Sequence, residues 1–394
     1  MESRLLLKNI SEIYTMTNLG VLRDHSILVE NGRIVKVSER IEVDNHTDVI
    51  DCTGLKAFPG FIDAHTHIGV YPLEWEYGEH GVEKSDVVTP HLRVIDGLDL
   101  YDKAFDDAVR GGVTTIASYP GSYMSFGQIL EHMTIVPGQS AIIKTNRRIL
   151  VEAHGIVFAL GEHVKRYLRE QKLSPTTRMG MIASIRSLFK NAREYREKKN
   201  RENNGESKTP MDFKLEAVNK LLDGELVGLV HAHTGNDILV LTKLLREYGV
   251  EKIIVLHGTE AHMVAEFLVE YNVPVVFGPL VFSKRGVELR NLDSKTPVKL
   301  YEAGVRFALT TNHPTIPIQY LSLIAGVSVG EGLPKMKALE TITIEPARIL
   351  GLEDRLGSIS PGKDADIVLF DGDPFEPDSK LTYTIIDGVK VYER

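Results

Sequence analysis

Cysteine is almost missing from this sequence: Cys52 is the single one among 394 residues. No disulfide can therefore form within the chain, which fits a protein of a reducing compartment. No run of about 18 apolar residues is present, so we expect no membrane-spanning helix. The apolar run close to Met1 is too short for a signal peptide. Together these absences predict a soluble cytoplasmic protein.

An excess of positive charge is missing as well. The chain has 46 Lys and Arg against 54 Asp and Glu, which gives a formal net charge of -8 at pH 7. Nucleic acids and anionic membrane surfaces attract proteins through clustered positive charge, and no basic stripe occurs here. We therefore expect neither as a partner.

Strand-like segments occupy both ends of the chain. The segment 27–37 reads as a hairpin with Asn-Gly at its turn, and 382–392 reads as a second hairpin that turns at Asp-Gly. Two β segments separated by a long middle suggest one small domain built from both termini. We predict a β-sandwich domain made of residues 1–58 and 351–394.

The middle of the chain, residues 59–350, alternates between apolar strand-like runs and helix-like stretches. Examples of the runs are 113–118, 226–231 and 253–257. This alternation predicts a parallel sheet. The length suits a (β/α)8 TIM barrel, which typically takes about 250 residues plus insertions. A doubly wound open sheet is the alternative, but no Gly-x-Gly-x-x-Gly follows a strand.

Histidines stand at the ends of several of these runs. His65 and His67 are two residues apart, so in a strand both side chains point to the same side. Two imidazoles on one face form half of a metal site, although a single His-x-His pair is weak evidence. In a parallel barrel the active site lies at the carboxyl ends of the strands. The other polar residues at strand ends are Glu162, His231, His233, His257 and Asn312.

Each of these residues alone is more often structural, but four strand ends carrying His or Glu predict a divalent metal site. The segment 59–67, PGFIDAHTH, resembles the first-strand signature of the amidohydrolase superfamily. The resemblance extends over nearly the whole chain and is strongest to the imidazolonepropionase-related group. The further matching segments are 88–93, 111–115, 120–122, 159–162, 177–180, 231–233, 278–280 and 357–368.

The resemblance implies a (β/α)8 barrel with a flanking β-sandwich, hydrolysis of C–N or related bonds, often in cyclic amides, and one or two divalent ions, expected to be zinc. It implies five metal ligands, which are His65, His67, Glu162, His231 and His257. Glu162 would bridge two ions, with Lys165 as the alternative bridge. His233 would face the substrate or support the ligands. Relatives are frequently dimers or larger, so a homo-oligomer is an expectation of the resemblance alone.

One position departs from the family pattern. Relatives end the eighth strand with an aspartate that takes a proton from the attacking water, whereas this chain has Asn312. An amide has the shape of a carboxylate but cannot act as a base at neutral pH. A positioned general base typically contributes about 10²–10⁴-fold to a rate. The adjacent His313 is an alternative base.

Two functions follow from these observations. The first is a metal-dependent amidohydrolase that acts on a small cyclic amide or related compound, with Asn312 and His233 as the candidate catalytic residues. The second is a catalytically impaired member of the same fold that binds a metal and a small ligand. Further candidates for substrate contact are Glu83, His91, Ser122, Arg178 and the segment 283–285.

Overall fold

The computed structural model describes residues 4–71, 80–81, 83, 85–125, 128–131, 134–202, 208–281 and 286–394. In chain order the strands are β1 (Arg4–Tyr14), β2 (Val21–Glu30), β3 (Arg33–Ser38), β4 (Asp48–Asp51), β5 (Lys56–Pro59), β6 (Phe61–Thr66), β7 (Val113–Ser118), β8 (Ser122–Ser125), β9 (Gln128–Glu131), β10 (Gly138–Lys144), β11 (Ile149–Ala159), β12 (Val227–Ala232), β13 (Ile253–His257), β14 (Val275–Phe277), β15 (Phe307–Leu309), β16 (Ile367–Phe370), β17 (Leu381–Ile386) and β18 (Val389–Glu393).

The α-helices are α1 (Ala104–Arg110), α2 (Glu162–Glu170), α3 (Arg178–Glu202), α4 (Phe213–Leu222), α5 (Gly235–Glu247), α6 (Ala265–Glu270), α7 (Thr296–Glu302), α8 (Leu321–Gly330), α9 (Lys335–Glu340) and α10 (Ile344–Ile349). Short 3-10 helices cover Val94–Gly97, Ala261–Val264 and Ile318–Tyr320. Within the described ranges, no helix combines the length and the apolar character needed to cross a bilayer.

Both termini contribute to one sheet, which confirms the predicted sheet domain from the two ends of the chain, whereas its arrangement as a β-sandwich stays a prediction. Its strand order is β18-β17-β16-β5-β1-β2-β3, with β4 beside β1. The two ends of the chain meet where β16 pairs with β5 and Val368 lies opposite Phe58. The strands form one continuous sheet with its own apolar core, which includes Leu7, Ile27 and Ile367.

The two predicted hairpin turns pack against each other. Asn31 and Gly32 have φ of 50° and 78°, and Asp387 and Gly388 have φ of 51° and 73°. These left-handed conformations belong to the tight hairpin turns that Asn-Gly and Asp-Gly favour. A Cβ on Gly388 would lie 2.7 Å from a methyl of Val29 and 3.1 Å from the Cα of Gly32. Glycine is therefore required both for the conformation and for the close approach.

The second sheet is a nearly closed barrel with the order β6-β7-β10-β11-β12-β13-β14-β15. Seven of its strands run in the same direction, whereas β10 is antiparallel to its neighbours β7 and β11. A mixed α/β barrel is confirmed, and the structure differs from the regular (β/α)8 pattern at this strand. The reason is the short 145–148 turn after β10, because a parallel connection needs a crossover of about a dozen residues or more.

The barrel closes between its first and last strands without a regular ladder. The N–H of Leu309 in β15 donates to the carbonyl of Thr341 at 3.0 Å, and the N–H of Ile62 in β6 donates to that of Ile342 at 2.8 Å. The segment 341–342 therefore bridges the two strands near the start of β6. At their carboxyl ends the segments meet directly, since the His67 N–H donates to the His313 carbonyl at 2.9 Å.

A buried lysine connects the barrel to the terminal sheet. The ammonium of Lys144, at the end of β10, donates to Asp364 and Asp366 at 2.9 Å each and also to Asp387. Burial raises the pKa of Asp366 to about 6, against the opposing effect of Lys144. Removing one partner of a buried ion pair leaves an uncompensated charge, which typically costs about 3–5 kcal/mol.

We therefore expect Lys144→Met to lower the free energy of unfolding by about 3–5 kcal/mol, measured by urea unfolding. The control is Lys190→Met, because Lys190 forms an exposed ion pair with Glu194. Such pairs typically contribute about 1 kcal/mol or less. Equal losses in the two variants would contradict the assigned role of Lys144.

His154 in β11 makes the stability of the fold depend on pH. Burial lowers its pKa to about 4, although the ring donates to the Leu350 carbonyl. The pKa of a histidine in the unfolded chain is about 6.5. Below that pH the unfolded chain binds a proton that the folded chain does not bind until the pH is much lower. Stability is therefore lost as the pH falls from about 6.5 to about 4, by up to about 3 kcal/mol.

His154→Gln keeps a side-chain N–H donor but removes the titration. We expect the free energy of unfolding of this variant to fall less steeply than that of the wild type between pH 7 and 4. His46→Gln replaces an exposed histidine and should leave the slope unchanged. A slope that is the same in all three proteins would rule out His154 as the source.

Candidate metal and active site

Five histidines lie close together at the carboxyl ends of the barrel strands β6, β12 and β13. All five are buried, and the list is His65, His67, His231, His233 and His257. The potential ligand nitrogens of His231, His233 and His257 lie within 4.8 Å of one another. The ring of His65 has its centroid 4.8 Å from that of His257 and 5.3 Å from that of His67. The histidines that the sequence predicts as a site are therefore brought together.

Backbone carbonyls orient two of these rings. Nδ1 of His67 lies 2.9 Å from the carbonyl oxygen of Tyr119, and Nδ1 of His257 lies 2.8 Å from that of Gly278. A carbonyl only accepts hydrogen bonds, so the ring proton sits on Nδ1 in both histidines. The lone pair that can bind a metal is then on Nε2. Metal-binding histidines are typically held in this way, and the donor set fits a divalent ion.

His233 is held by the loop that follows β13. Its Nδ1 lies 2.8 Å from the hydroxyl of Thr259, and its carbonyl accepts the Glu260 N–H at 2.8 Å. The Glu260 carboxylate in turn accepts the Gly235 N–H at 2.9 Å, at the start of α5. These bonds tie the ends of β12 and β13 together. Because a hydroxyl can donate or accept, this partner does not determine which nitrogen of His233 carries the proton.

His257 adopts an unusual backbone conformation. Its φ is 68°, in the left-handed region that non-glycine residues seldom occupy. Along β13, Ile254 and Leu256 belong to the core inside the barrel, while Ile253 and Val255 face the outer helices. Simple alternation would place His257 on the outer side with Val255. The left-handed turn coincides with a ring that instead contacts His231 and His65, with centroids 4.4 and 4.8 Å away.

Asn312 follows β15 and is 1% exposed. Its amide nitrogen donates to the Thr315 hydroxyl at 3.2 Å, and its backbone N–H donates to the Thr310 hydroxyl at 3.0 Å. The bond between His67 and the carbonyl of His313 holds this loop beside the His65–His67 segment. The structure thus places Asn312 next to the predicted metal ligands of β6.

His313 is a neutral imidazole at neutral pH. Burial lowers its pKa to about 3, with a smaller contribution from His67. Its Nδ1 accepts the Ile318 N–H at 3.2 Å, so the ring proton is on Nε2. The lone pair that a general base would use is therefore already engaged.

Glu162 is not part of the cluster of His231, His233 and His257. It begins α2 and its side chain is 53% exposed, in an ion pair with Lys165. A different carboxylate, Glu288, is buried and accepts the Glu162 N–H at 2.7 Å. Among the described residues, the only cluster of metal-binding side chains with three or more members consists of His231, His233 and His257. The bridging role of Glu162 or Lys165 stays a prediction.

Several residues that support the site were missed by sequence reasoning. Tyr119 is fully buried and packs edge-on against His65, with ring centroids 4.5 Å apart. Asp63 is also fully buried, and burial raises its pKa to about 6 against the effect of its hydrogen bonds from Thr310 and Thr311. Asp63 lies within the PGFIDAHTH segment, and its position two residues before His65 was an available signal. Thr310 and Thr311 have no sequence feature that would have identified them as supporting residues.

The candidates for substrate contact are scattered. Arg178 pairs with Asp237 near the start of α5, His91 is half-buried and Glu83 is exposed. The segment 283–285 and the side chain of Ser122 lie outside the described residues.

A nearly closed barrel with histidines at its strand ends, joined to a sheet from both termini, is the architecture of the amidohydrolases. The chain belongs to the amidohydrolase family, whose profile matches residues 57–391. This result confirms the family that the sequence motifs predict.

Individual relatives agree with this assignment. A solved amidohydrolase from Thermotoga maritima MSB8 is 37% identical, with a TM-score of 0.92, covering 99% of this chain and 100% of that one. The amidohydrolase tasK of Hapsidospora irregularis is 28% identical over 93% of this chain, which spans only 40% of that protein. An imidazolonepropionase of Picrophilus torridus is 22% identical, covering 99% of this chain and 98% of that protein.

Proposed function

We propose that this protein is a metal-dependent amidohydrolase that hydrolyses a C–N bond of a cyclic amide or related small molecule. The observation that carries the proposal is the group of His231, His233 and His257, whose ligand nitrogens lie within 4.8 Å of one another. A bound divalent ion would activate water and polarise the carbonyl of the substrate. Family membership supports a hydrolase, and imidazole ligands favour zinc.

The five histidines would hold one or two ions. His231, His233 and His257 form one potential ligand set, and His65 with His67 forms an adjoining pair. Their burial excludes competing water, and the carbonyls of Tyr119 and Gly278 orient Nε2 of His67 and His257. The protein's contribution is thus to fix the direction of the ligand lone pairs before the ion binds.

Proton transfer would fall to His233. Asn312 cannot accept a proton at neutral pH, and His313 already uses the lone pair of Nδ1. The partner of His233 is the hydroxyl of Thr259. This hydroxyl donates a hydrogen bond when Nδ1 of His233 is unprotonated and accepts one when Nδ1 carries a proton. A metal-bound His233 could not also deliver a proton, so this role requires that His231 and His257, together with the His65–His67 pair, hold the ion while His233 contacts the substrate, as the family resemblance implies.

The test is hydrolysis of a panel of five- and six-membered lactams, cyclic imides and N-acyl amino acids by the zinc-loaded protein. We expect one class to be hydrolysed, with the rate abolished by a chelator and restored by added zinc. Turnover that survives complete removal of metal would overturn the mechanism.

The metal content of two variants distinguishes the candidate bridging ligands. We propose Glu162 for this role on the family resemblance, although its ion pair with Lys165 would have to open. We expect Glu162→Ala to lose about one metal ion per chain, measured by elemental analysis, since it would remove one ligand of a shared site. Lys165→Ala should keep the wild-type content. The reverse result would assign the bridge to Lys165, and no change in either would exclude both.

A second candidate function is favoured by Asn312. Without a carboxylate at this position, the protein would bind a metal and a small ligand while hydrolysing slowly. The two functions predict different effects of Asn312→Asp on the hydrolytic rate.

A further inference from the structure

A buried carboxylate lies between the first and last strands of the barrel. Oδ1 of Asp63 accepts the Thr310 hydroxyl at 2.5 Å and the His65 N–H at 3.2 Å. Oδ2 accepts the Thr311 N–H at 3.0 Å and the Thr311 hydroxyl at 2.6 Å. Both oxygens are therefore used, and four donors from β6 and from the end of β15 converge on one side chain.

The hydrogen bonds continue from Asp63 to the residues of the site. The hydroxyl oxygen of Thr310 lies 2.6 Å from the His65 carbonyl and accepts the Asn312 N–H at 3.0 Å. The hydroxyl of Thr311 accepts the His313 N–H at 3.1 Å. His65 and Asn312 are thus connected to Asp63 through one or two hydrogen bonds.

These contacts occur where the barrel lacks a regular ladder. β6 and β15 lie at the two ends of the barrel sheet, and the segment 341–342 bridges them only near the start of β6. At the carboxyl ends, the relative position of His65, His67 and Asn312 depends on Asp63, its two threonines and the His67 to His313 bond. A buried, charge-assisted cluster of this kind is rigid because both oxygens of the carboxylate accept hydrogen bonds.

We infer that Asp63 is a positioning residue for the metal centre: it holds the His65–His67 pair and Asn312 in one geometry, and so sets the affinity for the metal. This inference rests on the proposed metal-dependent function. Replacing residues that orient metal ligands typically lowers metal affinity by about 10–100-fold. The competing explanation is that Asp63 only stabilises the barrel.

Asp63→Asn tests the inference with almost no change in shape. The new amide group would turn a donor toward either the Thr311 N–H or the His65 N–H, and neither backbone N–H can reverse. The readout is the dissociation constant of Zn²⁺, measured by competition with a chromophoric chelator on the full chain. We expect it to rise at least about tenfold.

Asp366→Asn is the matched control, because Asp366 is also buried but belongs to the Lys144 cluster at the terminal sheet. It should lower thermal stability without changing the Zn²⁺ dissociation constant. If both variants weaken zinc binding equally, or if Asp63→Asn binds zinc as tightly as the wild type, the positioning role is overturned.

If Asp63→Asn does not fold, a second pair of variants tests whether the Asp63 cluster positions the metal ligands. Thr310→Val removes the hydroxyl that contacts Asp63, His65 and Asn312, while Thr310→Ser retains it. We expect the valine variant to bind zinc at least about tenfold more weakly than the serine variant. Equal affinities would overturn the inference.

The same measurements separate this inference from the proposed function. Wild-type protein that binds zinc but hydrolyses none of the panel would refute the hydrolase and leave the role of Asp63 standing. Wild-type protein that binds no zinc would overturn both.

Discussion

Replacing His257 with alanine is expected to abolish metal binding at the three-histidine group and to lower hydrolysis by about 10³-fold or more. The residue contributes one of the three nitrogens within 4.8 Å, and its ring also contacts His65, with centroids 4.8 Å apart. One substitution would thus remove a potential ligand and the link between the two parts of the site. Elemental analysis and the lactam panel measure the two effects.

The control for this experiment is His154→Ala. His154 is also a buried histidine on a barrel strand, but it donates to Leu350 and is not part of the histidine group. It should lower stability while leaving the metal content at the wild-type value. Full metal content in His257→Ala would show that this residue is not a ligand.

Changing Asn312 to aspartate is expected to raise the hydrolytic rate by about 10²–10⁴-fold, the usual contribution of a positioned general base. The site can accommodate the change, because the Thr315 hydroxyl that now accepts from the Asn312 amide can rotate and donate to a carboxylate. Initial rates on the panel, at equal metal occupancy, provide the measurement.

The hydrolytic rate of Asn312→Asp also separates the two candidate functions. A large increase would identify the native chain as an impaired hydrolase, whereas a decrease would give Asn312 a catalytic role of its own and exclude the impaired form. Asn219→Asp, in α4 away from the histidines, controls for the added charge and should leave the rate unchanged. If the hydrolytic rate also increased in Asn219→Asp, the carboxylate at position 312 would not be the cause of the faster hydrolysis.

The terminal sheet could be predicted because its signals are local. Asn31-Gly32 and Asp387-Gly388 adopt the left-handed conformations that these dipeptides favour, and each turn sets the register of its own hairpin. The pairing of β5 with β16 is not local, but it follows once both ends of the chain carry strands with apolar faces to bury.

The direction of β10 could not be predicted from alternation of strands and helices. All residues of β10 are buried, as in the parallel strands, so burial and periodicity look the same for both directions. Direction depends on the length of the connection, and only the short 145–148 turn distinguishes this strand. The hairpin conformation of that turn includes Arg147 with φ of 73°, at a residue that carries no glycine signal.

The amino-acid sequence by itself determined which residue types reach the carboxyl ends of the strands, because strand ends and His-x-His spacing are properties of short segments. It therefore named His65, His67, His231, His233, His257 and Asn312. Only the tertiary structure decided how these side chains meet. The carbonyls of Tyr119 and Gly278, the hydroxyl of Thr259 and the carboxylate of Asp63 orient them from other elements. These partners come close to the site only when the barrel strands assemble, and no pattern within a short segment of sequence predicts that contact.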